Sequence, residues 1–195
     1  MLNKWAIEEN QKVCAIDLDG VLNHYPDTWV EYLNGTLGTN FKDLNEAKES
    51  ISYKKYKDLK WVYRESGIKS LLKPRAGAKE TMEALKAQGY QILILTSRPF
   101  TQHKSLFKQT VDWLIECGFP YDGLIFSEEK YVEVITKAPN LRFLVDDHMY
   151  YCNSVARWGY HAFLVNTVYN QGKTLPLVHR ITDLKEVLEH DFVHQ

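Results

Sequence analysis

The 195-residue sequence has only three cysteines, Cys14, Cys117 and Cys152, an odd number at wide spacing and each in an apolar context. That argues against a disulfide or zinc framework and makes them small core residues in a reducing compartment. Net charge is lacking too. The 24 basic and 25 acidic side chains leave −1 at pH 7, so no global pull toward nucleic acid or anionic lipid is implied. Nor is there a long apolar run. The N-terminal "MLNKWAIEENQKV" has no apolar signal-peptide core, and no later stretch approaches the roughly 20 apolar residues of a membrane span. The expectation is a soluble, cytoplasmic protein with no membrane partner. Internal repeats and low-complexity tracts are likewise missing.

What is present fits one main domain with room for an inserted subdomain. The stretch "CAIDLDGVLNHY" (14–25) begins as a buried strand and then places Asp17 and Asp19 where the apolar run ends. Four further runs follow: "YQILILT" (90–96), "GLIFS" (123–127), "LRFLVDD" (141–147) and "HAFLVN" (161–166). Each is continuous rather than alternating, as strands buried on both faces read. Between them lie helical patterns. "PRAGAKETMEALKAQG" opens with a proline, closes at Gly89, and spaces Ala78, Met82 and Leu85 three or four residues apart. The segments 104–117, 130–137, 150–158 and 182–190 read similarly. Strand alternating with helix predicts an α/β fold, a Rossmann-like parallel sheet with helices on both faces and the carboxyl ends of the strands at one edge.

One spacing breaks the rhythm. From Gly20 to Tyr90 is 70 positions, whereas a βαβ unit needs about 30 residues in all. The surplus, 22–73, is rich in lysine and in aromatics such as Tyr25, Trp29, Tyr56 and Tyr63, and contains helical stretches. It reads as a small helical cap inserted after the first strand, with 1–21 and 74–195 forming the core, because a structureless loop of that length would be unusual.

The topology gathers polar residues at the sheet edge: Asp17 and Asp19 from strand one, Thr96, Ser97 and Arg98 from strand two, Asp146 and Asp147 from strand four. Lys130 opens the helix after strand three. Four carboxylates together repel, and a divalent cation removes the difficulty. Magnesium, which prefers oxygen ligands and commonly takes one or two carboxylates with waters and a substrate phosphate, suits the set. A hydroxyl, an arginine and a lysine beside it suit a phosphoryl group.

"DLDGV" (17–21), "LTSR" (95–98), Lys130 and "VDD" (145–147) resemble the four motifs of the haloacid dehalogenase (HAD) superfamily of phosphohydrolases, in order and on the expected elements. The resemblance covers about 90–166 plus the first strand; the insert matches in position and size alone. It implies that Asp17 attacks phosphorus to form an aspartyl-phosphate while also binding Mg²⁺. It also implies that Asp19 protonates the leaving oxygen and then activates water, its backbone carbonyl serving the metal. Gly20 would let the backbone turn beside the phosphate, Thr96 would donate its hydroxyl, Lys130 would neutralise phosphoryl charge, and Asp146 and Asp147 would complete the metal site. Lys137 falls in the same interval as Lys130 but stands two turns further along the helix, where a solvated face is expected.

Plainer readings compete. Asp17 and Asp19 could be turn or capping acids, Thr96 and Ser97 a cap before Pro99, Arg98 half of a surface salt bridge, and His148 a solvated histidine. His24, Tyr25 and Trp29 read first as packing within the cap, and otherwise as a contact surface and stacking platform for a nucleobase. Within the superfamily the insert resembles the cap of 5′(3′)-deoxyribonucleotidases, although "NHYPDT" departs from the polar stretch usual there. "TSR" resembles the phosphatase domain of polynucleotide kinase-phosphatases. Either resemblance implies a small phosphorylated partner, a nucleotide, or a nucleic-acid end; another cap would serve a sugar-phosphate or other metabolite. Two non-enzymatic readings fit less well. A receiver-like domain normally phosphorylates an acid on a later strand and lacks the 70-position gap, and a silent scaffold would not need every chemical position filled.

Overall fold

The computed structural model describes residues 11–194; residues 1–10, counted with the core above, and Gln195 lie outside them. Six strands form one parallel sheet: β1 (Val13–Ile16), β2 (Gln91–Thr96), β3 (Gly123–Phe126), β4 (Leu141–Asp146), β5 (His161–Val165) and β6 (Val178–Ile181), in the order β3-β2-β1-β4-β5-β6. The chain is an α/β protein with the Rossmann-like arrangement expected from its runs. Continuous apolarity in β1 has a direct cause, since all four of its residues are buried. Cys14 and Ile16 face α4 (Ala78–Ala87) and α5 (Lys104–Cys117) through Met82, Leu85 and Trp113. Val13 and Ala15 face α6 (Lys130–Lys137) and α7 (Met149–Arg157) through Val134, Cys152 and Val155. At about 1.5–3 kcal/mol for each fully buried aliphatic side chain, the two layers hold the central strands firmly. All three cysteines are free, and Cys14 and Cys152 are buried. No helix among the described residues is long and apolar enough to cross a membrane.

The end of the chain differs from expectation. The segment 182–190 is a 3₁₀ helix over Leu184–Glu189, capped by Asp183 and Glu186, and is followed by the short α8 (Asp191–His194). It is preceded by β6, whose "VHRI" buries only its two ends at the sheet margin. A four-residue edge strand has too few alternations to announce itself.

Between β1 and α4 the chain forms α1 (Asp27–Leu37), α2 (Leu44–Ser50), α3 (Tyr53–Glu65) and a 3₁₀ turn at Ile68–Ser70. Asp43 caps α2 and Ser52 caps α3, so the lysine-rich stretch divides at Ile51–Ser52. This insertion has its own apolar cluster of Trp29, Val30, Leu33, Leu44, Ala47, Ile51 and Tyr63. Trp29 is fully buried there, within 5.6 Å ring to ring of Tyr32, Tyr56 and Tyr63, and its Nε1 donates to the Tyr56 hydroxyl at 3.0 Å. It packs the insertion and offers no face on which a base could stack.

Candidate active site

The sheet order places β2, β1 and β4 side by side, so the residues that follow them converge at one carboxyl edge. Strand β1 stops at Ile16, and Asp17 and Asp19 stand just beyond it in a turn. The Asp17 amide donates to the Val145 carbonyl at 2.8 Å, so the first acid stays beside β4. Lys130, the first residue of α6, is 1% exposed and bridges two acids: its Nζ lies 2.6 Å from Asp17 Oδ1 and 3.0 Å from Asp146 Oδ2. Asp146 Oδ1 accepts the His148 amide at 2.8 Å. Asp147 accepts the Tyr169 hydroxyl on its carboxylate and Asn170 Nδ2 on its carbonyl at 2.7 Å, the same amide also holding the Val165 carbonyl. Buried Thr96 accepts the Arg98 amide on its hydroxyl oxygen at 3.3 Å.

Asp19 leads elsewhere. Arg98 grips it with two bonds, Nε to Oδ2 at 3.0 Å and Nη2 to Oδ1 at 2.7 Å, Lys69 approaches to 2.6 Å, and Asn23 Nδ2 donates at 2.9 Å. Arg98 is 5% exposed and also donates to Thr110 at 2.9 Å, so its ion pair is buried rather than superficial. Asp17, Asp146 and Asp147 form a separate group whose ligand oxygens lie within 4.8 Å of one another; the Asp19 carboxylate is not among them. The expected foursome is therefore three neighbouring acids, two of them bridged by Lys130, and one acid held by Arg98 and Lys69.

Electrostatics follow this division. Burial raises the Asp17 carboxyl well above its usual range, and the neighbouring Asp146 and Asp147 add to that against the pull of Lys130. Burial and Asp146 push Asp147 up to about 7. For Lys130, burial acts to strip the proton, but Asp146 and Asp17 outweigh it and raise its pKa. Burial would likewise raise Asp19, yet Arg98 and Lys69 prevail and hold it well below the carboxylate range. Three buried acids against one ammonium make a site short of positive charge, and oxygens within 4.8 Å of one another are near enough to turn toward one hard divalent cation. The donor set fits such an ion.

Gly20 has a structural reason to be glycine. Its φ is +91°, which L side chains rarely adopt, and a Cβ there would lie 2.6 Å from the Asp147 carboxylate carbon, so any other residue would force Asp147 out of place. The turn after Asp19 is thus packed against the acid that β4 supplies.

A cavity of about 350 Å³ opens above these groups. It brings together Asp17, Asp19, Tyr25, Thr96, Ser97, Arg98, Lys130, Asp146, Asp147 and His148. His24 is exposed and does not line it, and Gly20 stands behind Asp147. Lys137 is exposed and pairs with Glu133 on its own helix. Several lining residues were not foreseen: Lys69 from the 3₁₀ turn, Lys60 and Arg64 from α3, and Tyr169 beyond β5. "NTVYN" after β5 could have been suspected, since it leaves a strand at the same edge; nothing sets Lys60 and Lys69 apart from the other lysines of the insertion, and nothing in the pattern points its one arginine, Arg64, at the site.

Residues 11–154 match the family model described as "5' nucleotidase, deoxy (Pyrimidine), cytosolic type C protein". A protein of Bacillus cereus named "Putative nucleotidase" is 28% identical over 118 residues, 58% of this chain and 60% of that protein. One of Chlorobaculum tepidum named "Putative 5'(3')-deoxyribonucleotidase" is 26% identical over 144 residues, 64% of this chain and 66% of that protein. The chain thus spans about 60–66% of the length of these curated relatives. Among solved structures, a haloacid dehalogenase-like family hydrolase from Streptococcus pneumoniae superposes with a TM-score of 0.61 at 14% identity, covering 92% of this chain and 97% of that one, a likeness of fold. The strand order, the four motifs at one sheet edge and the match over 11–154 together make this chain a member of the cytosolic type C 5′-deoxynucleotidase family, within the HAD superfamily.

Proposed function

We propose that this protein is a cytoplasmic, Mg²⁺-dependent phosphomonoesterase that works through an aspartyl-phosphate and takes nucleotides as substrates. The observation that carries the reading is the Asp17 carboxylate at the floor of the cavity, one oxygen on Lys130 and its neighbours Asp146 and Asp147 close enough to share a cation. Asp17, Asp146 and Asp147 would hold the metal, which when bound supplies positive charge to the phosphoryl oxygens and relieves the repulsion among the acids.

In this reading Asp17 attacks phosphorus in line, the bond to the leaving oxygen breaks, and Thr96 and Lys130 receive charge on the transferring group. Water then attacks the aspartyl-phosphate, regenerating the carboxylate and releasing inorganic phosphate. Asp19 moves the protons. Bonded to both Arg98 and Lys69 it is in its deprotonated form, suited to activating the water. To protonate a leaving oxygen it must first take up a proton from solvent, which requires losing one of these partners, and Lys69, carried by the insertion, is the one a movement of the insertion would withdraw. Family membership supports a small nucleotide over a sugar phosphate.

The test is phosphate release from a panel of deoxynucleoside and ribonucleoside 5′- and 3′-monophosphates, sugar phosphates and a 3′-phosphorylated oligonucleotide. Nucleoside monophosphates are expected to be turned over best, with activity abolished by chelator and restored by Mg²⁺. Comparable rates on all substrates would reject the nucleotide reading, and turnover in chelator would reject the metal.

A further inference from the structure

The roof of the cavity has cations that the chemistry above leaves unused. Lys48 from α2 and Lys60 and Arg64 from α3 line it together with Lys69. Lys69 is compensated by Asp19 at 2.6 Å. Among the described residues, Lys48, Lys60 and Arg64 have no carboxylate partner. Lys60 is the most constrained: its Nζ lies 4.2 Å from the centre of the Trp29 ring, 4.4 Å from that of Tyr25 and 5.2 Å from that of Tyr63, and it donates to the Tyr25 hydroxyl at 3.0 Å. An ammonium has three donors, and among the described residues this one hydrogen bond leaves the other two to the ring faces, with no further oxygen acceptor. Burial pushes the Lys60 ammonium well below its usual range; Lys69, Arg64 and Lys48 repel it further, against a pull from Asp19. A like-charged group at the mouth of a site, held by rings and unmatched by acid, is stabilised by an anion that docks there.

The floor already provides for one phosphate. We propose that the substrate carries a second one, bound by Lys48, Lys60 and Arg64 while the first lies against Asp17, Thr96 and Lys130. The ligand class is a small nucleotide with two separate phosphates, a nucleoside 3′,5′-bisphosphate, since Thr96 and Lys130 on the sheet side and Lys48, Lys60 and Arg64 on the insertion side line one cavity from different elements. This deepens the nucleotidase reading and rests on it.

The experiment measures binding of thymidine 5′-monophosphate and thymidine 3′,5′-bisphosphate to the Asp17→Asn protein by calorimetry in Mg²⁺, with Lys60→Met or Arg64→Gln added. The bisphosphate is expected to bind about tenfold or more tightly, with a steep salt dependence, and each added substitution to cut that ratio severalfold. Arg64→Gln keeps the test sound if Lys60→Met disturbs the ring cluster, which thermal unfolding would reveal. Equal affinities, or a preference that survives both substitutions, would overturn the proposal. Tighter binding of a 5′-phosphorylated oligonucleotide than of the bisphosphate would overturn it in favour of a strand end. Failure of the nucleotidase reading looks different: the parent enzyme would release phosphate from neither nucleotide.

Discussion

On the sheet side of the cavity the buried cations are matched by acids: Lys130 meets Asp17 and Asp146, and Arg98 grips Asp19. On the insertion side, among the described residues, Lys69 alone of the lining cations reaches an acid, while Lys48, Lys60 and Arg64 line the cavity without one. The sheet side is built from strand ends and the first turn of a helix, anchored by two apolar layers. The insertion rests on a smaller cluster around Trp29 and Tyr63. The sheet side is left with surplus carboxylate, which suits a cation, and the insertion side with surplus cation, which suits an anionic ligand. Under the proposed function, bond-breaking belongs to the sheet edge and recognition to the insertion.

Two substitutions press on this contrast. Lys130→Met should have the larger effect, because it strands Asp17 and Asp146 without their shared ammonium at a fully buried position. A fall in kcat of about a thousandfold or more is expected. Without divalent cation, a loss of about 3–5 kcal/mol in stability should accompany it, read by urea unfolding and partly recovered on adding Mg²⁺. Retained turnover would remove Lys130 from the chemistry. Trp29→Phe should be mild by contrast: it deletes the bond to the Tyr56 hydroxyl and some volume inside the insertion. Stability should fall by about 1–2 kcal/mol, with a severalfold rise in KM and little change in kcat. A kcat loss comparable to that of Lys130→Met would show that the two sides do not divide the work.

The same division explains what could be read from the sequence. Buried parallel strands announce themselves as continuous apolar runs, and five of the six did; β6, short and at the margin, did not. A helix pattern that begins at Lys130 puts that residue at its strand's carboxyl edge, which is why Lys130 could be preferred to Lys137 from spacing alone. Asp19 was legible as a residue but not in its setting, because Arg98 and Lys69 come from 79 and 50 positions away. Only the folded chain shows that it stands apart from the other three acids. Trp29 was open to two readings since an aromatic residue of an insertion gives no sign in sequence of facing inward; its burial decides for packing. Lys60 and Arg64 were invisible for a similar reason: in "KKYKDLKWVYRES" every lysine looks alike until three rings close around one of them.

The central claim is that Asp17 carries the phosphoryl group in transit. The direct measurement is peptide mass mapping after acid quench of the enzyme during turnover of a deoxynucleoside monophosphate with Mg²⁺. The expected result is one phosphoryl group on the peptide containing Asp17, absent with chelator and absent from Asp17→Asn. Turnover with the phosphoryl group on another residue, or undiminished phosphate release by Asp17→Asn, would contradict it.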